Sequence, residues 1–384
     1  MKSKKKVVVF GSGPKFIGFG LYNTSLAKAL DKFPDTEVYL VSWSHPYPAI
    51  IPRDSVDHSS KTEELLEGTN VNLKYVTNFN NPLTWYKTYK LIKKINPDVA
   101  VFQWAISVQG IPIGYIVNKL KKKTNTEIVF DLHFVKQKEE SLLDKLLTKR
   151  ALKNADSYIT HDYKTAEELK EVFPEYKFEL NENGERAKGD TKTIIKLFHP
   201  LYDTFKPDPS FDIEKFKKEL NLRKHVFLFF GFIRKYKGLH DAIRAFAKVV
   251  QKRDDASLLI VGQSFWNKQN TTGRIAKFVP NDDVHKYFQG SDCIVLYYLK
   301  ATASGPEHIA YNFNVPALAT KVGHFPETIR HGYNGYLADP NDVDSMAQQM
   351  INFIEKPIPP EHVTEICKEL SWENYAGRIL KGIQ

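Results

Sequence analysis

VLYYLKATASGPEHIAYNFNVPALATKVGHFPETIRHGYNGYLADP, residues 295–340, is the stretch that decides the fold. Residues 295–298 form an apolar run suited to a buried strand, and Ser304-Gly305 then opens a short helix. A strand over Ala317–Thr320 follows, then the turn Val322-Gly323-His324, a hairpin and a last strand. The first-turn N–H groups of a helix have no partner inside it. The Ser304-Gly305 turn therefore offers amides and the positive end of the helix dipole to an anion. A second glycine turn after the next parallel strand falls at the same sheet edge, and two such turns make a phosphate-binding crevice.

Outward from this stretch, strand and helix patterns alternate. Strands are predicted over 226–230, 257–261 and 293–298, with a helix over Leu239–Val250 whose stripe is Leu239, Ile243, Phe246 and Val250. In the first half, strands over 6–10, 37–43, 98–104, 127–132 and 157–161 alternate with helices over 21–30, 84–95 and 142–152. This is the pattern of a parallel, doubly wound α/β sheet. At 384 residues the chain exceeds one ordinary core. A linker near 199–209 holds Pro200, Pro207 and Pro209 and separates two such patterns. The expected architecture is two Rossmann-like domains facing a central cleft. The first covers 1–203 and the second 204–370, and a helix over 371–384 packs back on the first. The polar insertions 53–68 and 181–192 read as mobile surface loops.

Composition narrows the function classes. The net charge is +10, and residues 1–200 hold 31 Lys/Arg against 24 Asp/Glu. A basic half suits an anionic lipid, a phosphorylated substrate or simple solvation. It shows no basic stripe interleaved with aromatics, so no nucleic-acid partner is expected. Two cysteines cannot build a disulfide framework or a zinc site, and Cys293 in an apolar strand fits a reduced, cytoplasmic protein. The apolar run after the basic start is too short for a signal peptide. The uncharged stretch 99–118 breaks into a strand and a helix rather than a membrane span. Lys119, Lys121, Lys122 and Lys123 follow the apolar segment 111–117. They fit either peripheral docking on an anionic membrane or complementing the helix dipole at its carboxyl end.

The glycine loop over 11–20, GSGPKFIGFG, fails the dinucleotide fingerprint, since Phe16 stands at the third glycine position. It fails the P-loop pattern as well, with Phe19 where lysine is needed. It still suits close approach of a helix to a substrate. The run over 231–238, GFIRKYKG, puts Arg234 and Lys237 on the loop after a strand, at the edge that carries the Ser304 and Gly323 turns. Two cations beside free amides are what a departing diphosphate requires, each charge-assisted bond contributing roughly 1.5–3 kcal/mol. His133 follows a strand and is a candidate for either packing or catalysis. His161-Asp162 ends another strand in the same half.

The runs FFGFIRKYKG, VPNDDVHKYFQGSDCIVLYY, ATASGPEHIAYNFNVPALATKVGHFPETI and GYNGYLADP together resemble glycosyltransferase family four, the group 1 glycosyltransferases of GT-B fold. A weaker likeness runs through GFGLYNTSLAKAL, NPDVAVFQW, FDLHF and ALKNADSYITHD. The resemblance implies a retaining, hexosyltransferase-type enzyme. It would move sugar from a UDP-, GDP- or ADP-sugar to a glycan, lipid-linked or other hydroxyl acceptor, with no resident cofactor and no metal. It makes Arg234 and Lys237 the diphosphate pair and Ser304, Gly305 and Pro306 the source of phosphate-facing amides. Gly18 or Gly20 would face the donor, and His133 would lie near the reaction centre. The family's two glutamates fall here on Ala301 and Ile309, with Glu307 on the same turn as the substitute polar contact. A GT-B protein that binds nucleotide or glycan without turnover is the alternative.

Overall fold

Continuous runs such as Val7-Val8-Val9-Phe10 demand cover on both faces, and a parallel sheet with helices on each side provides it. The computed structural model describes residues 4–16, 18–49, 56, 64–136, 141–201, 205–262, 279–301 and 304–382. The chain divides into two compact units, Met1–Phe198 with Trp372–Gln384, and His199–Ser371. The boundary expected at 203/204 lies outside the described residues.

The first unit begins β1 (Lys5–Gly11), α1 (Phe19–Asp31), β2 (Thr36–His45), β3 (Asn72–Asn78), α2 (Pro82–Ile95), β4 (Val99–Trp104) and α3 (Gly110–Lys123). It continues with β5 (Glu127–Leu132), α4 (Leu142–Leu152), β6 (Ser157–Thr160), α5 (Tyr163–Val172), β7 (Phe178–Asn181) and β8 (Lys192–Lys196). The strands pair in parallel in the order β3-β2-β1-β4-β5-β6-β8-β7. Strand residues alternate between two cores. Val8, Phe10, Phe102 and Phe130 pack under α2, α3 and α4 through Ile92, Ile116 and Leu152. Val7, Val9, Val101 and Val129 pack under α1 and the closing helix through Leu26, Leu30, Tyr375 and Ile379.

Three strands escape the sequence reading. β3 alternates half-buried and exposed residues at one sheet edge, and β7 and β8 are short. The segment between β7 and β8, expected as a mobile loop, is instead anchored. Arg186 donates from Nε to Glu127 Oε1 at 2.5 Å and from Nη2 to the Ile379 carbonyl at 3.0 Å. The insertion 53–68 lies mostly outside the described residues, and its described part includes one tight turn, Glu64–Leu66.

The second unit runs α6 (Ile213–Glu219), β9 (His225–Phe230), α7 (Leu239–Val250), β10 (Ala256–Val261), α8 (Val284–Gln289), β11 (Cys293–Leu296) and α9 (Gly305–Asn312). Then come β12 (Ala317–Thr320), α10 (Phe325–Thr328), β13 (Gly335–Ala338), α11 (Val343–Glu355) and α12 (Pro360–Glu369). The last helix, α13 (Trp372–Lys381), belongs to the first unit. The second sheet is parallel in the order β10-β9-β11-β12-β13. The expected hairpin is therefore absent among the described residues. β12 and β13 run the same way, which needs a crossover, and α10 supplies it. The stripe expected on α7 is also displaced. Ala242, Ala245 and Val249 are buried while Ile243 and Val250 are each 46% exposed. Small residues let this helix lie close, which leaves the larger ones outward.

Among the described residues no helix is long and apolar enough to cross a membrane.

Candidate functional site

In the second unit, glycines set the geometry at the carboxyl edge of the sheet. Gly238 has φ +63°, and a Cβ there would lie 1.9 Å from the Tyr297 carbonyl oxygen. Only glycine allows the 234–238 turn to sit this close to the end of β11. The Leu299 amide donates to the Tyr236 carbonyl at 2.7 Å and completes that junction. Gly231, after β9, has φ +102°. A Cβ on it would lie 3.5 Å from Lys237 Nζ and 3.5 Å from Pro306 Cγ. The Lys237 ammonium and the first turn of α9 thus meet over the end of β9.

Lys237 is only 8% exposed, and its ammonium stands 5.3 Å from the centroid of the buried Tyr298 ring. Burial pushes the Tyr298 hydroxyl well up, so that ring stays neutral beside the cation. Arg234 is exposed on the same turn, and its carbonyl accepts from the Lys237 amide at 3.0 Å. Gly323, at φ +57°, lies where a Cβ would come 2.2 Å from the Ala301 carbonyl. The second glycine turn therefore reaches the segment leading into Ser304. The structure brings Arg234, Lys237, Ser304, Gly305 and Pro306 to one sheet edge. Proline has no N–H, so the amide donors of that trio reduce to Ser304 and Gly305.

Glu307 faces inward. It is fully buried, and Oε1 accepts from Thr328 Oγ1 at 2.6 Å and from the Tyr311 hydroxyl at 3.1 Å. His324 Nε2 lies 2.5 Å from Oε2. Burial alone would raise this carboxyl, but His324, His308 and the Thr328 hydroxyl outweigh it and the shift is downward. An ionised Glu307 ties the first turn of α9 to α10. This inward pairing replaces the direct polar contact expected of it.

In the first unit the chemistry centres on Asp131, near the end of β5 and fully buried. His161 Nε2 lies 2.8 Å from Oδ1, while the Tyr22 hydroxyl and Gln103 Nε2 donate to Oδ2 at 3.0 and 3.1 Å. The Tyr375 hydroxyl, from the closing helix, lies 3.0 Å from that of Tyr22. Burial works to raise the Asp131 carboxyl, yet His161, His133 and the Gln103 bond prevail and hold it at about 2. His133 lies half-buried at the end of β5, with Phe19 at 4.4 Å and Tyr22 at 4.8 Å between ring centroids. Burial pulls its pKa down to about 3, against the attraction of Asp131, so the ring is neutral at neutral pH.

The hydrogen-bond chain fixes which nitrogen of His133 holds the proton. An ionised Asp131 only accepts, so Gln103 must turn its NH₂ toward it. The Gln103 Oε1 then faces His133 Nε2, 2.8 Å away, and also only accepts. His133 therefore carries its proton on Nε2 and its lone pair on Nδ1. Sequence reasoning missed Gln103, Asp131, Tyr22 and Tyr375 as functional groups. The available signal for Gln103 and Asp131 was a polar residue near the end of an apolar buried run, in VAVFQW and EIVFDL.

The two candidate glycines of the first loop differ. Gly20 packs so closely that a Cβ would come 2.4 Å from the Gly13 carbonyl, whereas a Cβ on Gly18, at φ +82°, would meet open space. Within the segment 111–117, Ile113, Ile116 and Val117 are core residues, while Ile111 is exposed. A groove of about 1460 Å³ lies at the opposite, amino-terminal edge of the first sheet. Two ion pairs lie along it, Lys121 with Asp156 and Arg186 with Glu127, and it holds none of the candidate donor-site or catalytic residues.

Residues 210–370 match the family model described as glycosyl transferases group 1. The chain is 27% identical over 174 residues to N-acetyl-alpha-D-glucosaminyl L-malate synthase of Bacillus anthracis, covering 43% of this chain and 45% of that one. It is 24% identical over 271 residues to an uncharacterized glycosyltransferase of Methanocaldococcus jannaschii, 65% of this chain and 64% of that one. The alignments thus span about half to two thirds of these relatives.

Solved structures align over nearly the whole chain. A glycosyltransferase from Rickettsia africae gives a TM-score of 0.69 at 15% identity, covering 99% of this chain and 98% of that one. Anabaena HepE in complex with UDP and glucose gives 0.62 at 15%, covering 99% and 96%. Sucrose-phosphate synthase from Thermosynechococcus elongatus gives 0.60 at 15%, covering 99% and 95%. The chain is thus a protein of GT-B fold, with two parallel-sheet Rossmann-like units, whose second unit matches the group 1 glycosyl transferases.

Proposed function

We propose that this protein is a glycosyltransferase. It would move a sugar from a nucleotide-diphosphate donor to a hydroxyl acceptor, glycan or lipid-linked, with retention of anomeric configuration. One observation carries the reading. The ammonium of Lys237 is held beside the first turn of α9, where helix amides and a lysine converge over a glycine that leaves room. Such a site favours a diphosphate over a neutral ligand, and more so as negative charge develops on it. The UDP complexes of HepE support a uridine nucleotide among the three candidates.

In this reading the bond from the anomeric carbon to the diphosphate breaks as the acceptor oxygen bonds to that carbon. The acceptor proton passes to the departing phosphate, whose charge Arg234 and Lys237 offset. Gly305 and Ser304 supply amides to the phosphates, and Gly18 leaves space beside the donor. His133 is a neutral ring near the reaction centre. Glu307 positions α9 from beneath.

Calorimetry with UDP, GDP and ADP tests the donor site. Wild-type protein should bind at least one of them. Arg234→Ala and Lys237→Ala should each weaken that binding by roughly 10- to 100-fold, the value of one charge-assisted bond. Absence of binding to all three sinks the reading. Binding without turnover of any nucleotide sugar would leave a nucleotide-binding protein.

A further inference from the structure

The three adjacent helices α2, α3 and α4 follow β3, β4 and β5, so their first turns share the carboxyl edge of the first sheet. They pack side by side. A Cβ on Gly114 would touch the Ala151 backbone at 3.4 Å, and the Trp85 and Tyr115 rings are 6.2 Å apart. Each first turn leaves apolar side chains in solvent. On α4, Leu142, Leu143 and Leu146 are 85%, 61% and 63% exposed. Ile111 on α3, and Leu83 and Tyr86 on α2, continue the row. The α4 turn is not frayed, because Ser141 and Asp144 form a reciprocal cap and Ser107 donates to the Asp144 carboxylate.

Charge on the same layer is one-sided. The three helices hold eleven lysines and arginines, five of them in the far, last turns of α2 and α3, and a single acidic residue, Asp144, which those caps occupy. On α4, Lys149 and Arg150 lie on the outward face among the leucines, with Lys145 at its margin. Lys149 pairs with Glu175 at 3.0 Å. Exposed leucines ringed by cations suit a surface that is apolar beneath and anionic above.

We propose that the first turns of α2, α3 and α4 form a docking face for an anionic lipid bilayer. The leucines of α4 enter the headgroup boundary and Lys145, Lys149 and Arg150 meet the lipid phosphates. This assignment stands apart from the donor-site reading, since none of these residues belongs to that site. It also moves the membrane contact expected at Lys119 to Lys123 to the other end of α3.

Flotation of the full chain with two vesicle types tests it, one of phosphatidylcholine alone and one containing a quarter phosphatidylglycerol. Wild-type protein should float with the anionic vesicles only, and less so as salt rises. Leu142→Ser with Leu146→Ser, and separately Lys145→Glu with Arg150→Glu, should each lower partitioning by about tenfold or more. Thermal unfolding and nucleotide binding should be unchanged in both, which separates lost docking from lost folding or a failed donor site. No flotation of the wild type, or equal flotation on both vesicle types, overturns the proposal. So does a concentration-dependent dimer that the leucine variant disperses, because the face would then be covered by a second copy.

Discussion

At Gln103 an uncharged amide passes the demand of one charge to a ring it does not touch. Asp131 accepts from Gln103, Gln103 accepts from His133, and the ring proton is thereby confined to Nε2. Replacing Gln103 by Leu removes that constraint while keeping the strand apolar. Nitrogen chemical shifts of His133 should report an Nε2–H tautomer in the wild type and a mixture in Gln103→Leu. A wild-type ring protonated on Nδ1 would refute the chain. Asp131→Asn attacks the same network at its centre. Removing a buried charge from paired partners should destabilise the first unit by about 3–5 kcal/mol, readable by urea unfolding.

At the scale of elements, the turns of the second unit are built on glycines that differ in kind from Gly18. Gly238→Ala forces a methyl into the Tyr297 carbonyl and strains φ at once. It should destabilise by several kcal/mol and displace Lys237. Gly18→Ala meets open space, so only the backbone strain remains, about 1–3 kcal/mol. Melting temperatures of the two variants should therefore separate clearly, and near-equal values would contradict the contact at Tyr297. The β7–β8 edge depends on Arg186, which joins Glu127 to the closing helix. Arg186→Ala should cost about 1–3 kcal/mol and speed amide exchange in β8 and α13 before the central strands.

Over the whole molecule, the buried cluster sets how stability falls on the acid side. His133 binds its proton near 3 when folded against 6.5 for the free side chain, so stability falls as pH drops from 6.5 toward 3. Asp131 titrates at about 2 rather than 3.8, so its contribution is intact above about pH 4 and disappears between there and 2. Unfolding midpoints should be flat between about pH 7 and 8 and decline below 6.5. In His133→Gln the first part of that decline, above pH 4, should be shallower, and an unchanged profile would show that the ring is not held neutral.

Much of this was legible in the chain because it is local. Alternating runs announce a parallel sheet, and glycines after its strands announce close turns at its edge, since both follow from periodicity and from backbone freedom. The small-residue face of α7 was hidden, because apolar size points to the larger side chains while close packing selected the alanines. Only tertiary structure could decide that Glu307 points inward, or that Tyr22 meets Tyr375, 353 residues away. Strand register and helix packing choose which polar side chains share a buried centre. Neither is written in the spacing of residues along any single element, so the sequence by itself determined the alternating parallel-sheet pattern and its glycine turns, and the fold decided the edge strands and the proton network around His133.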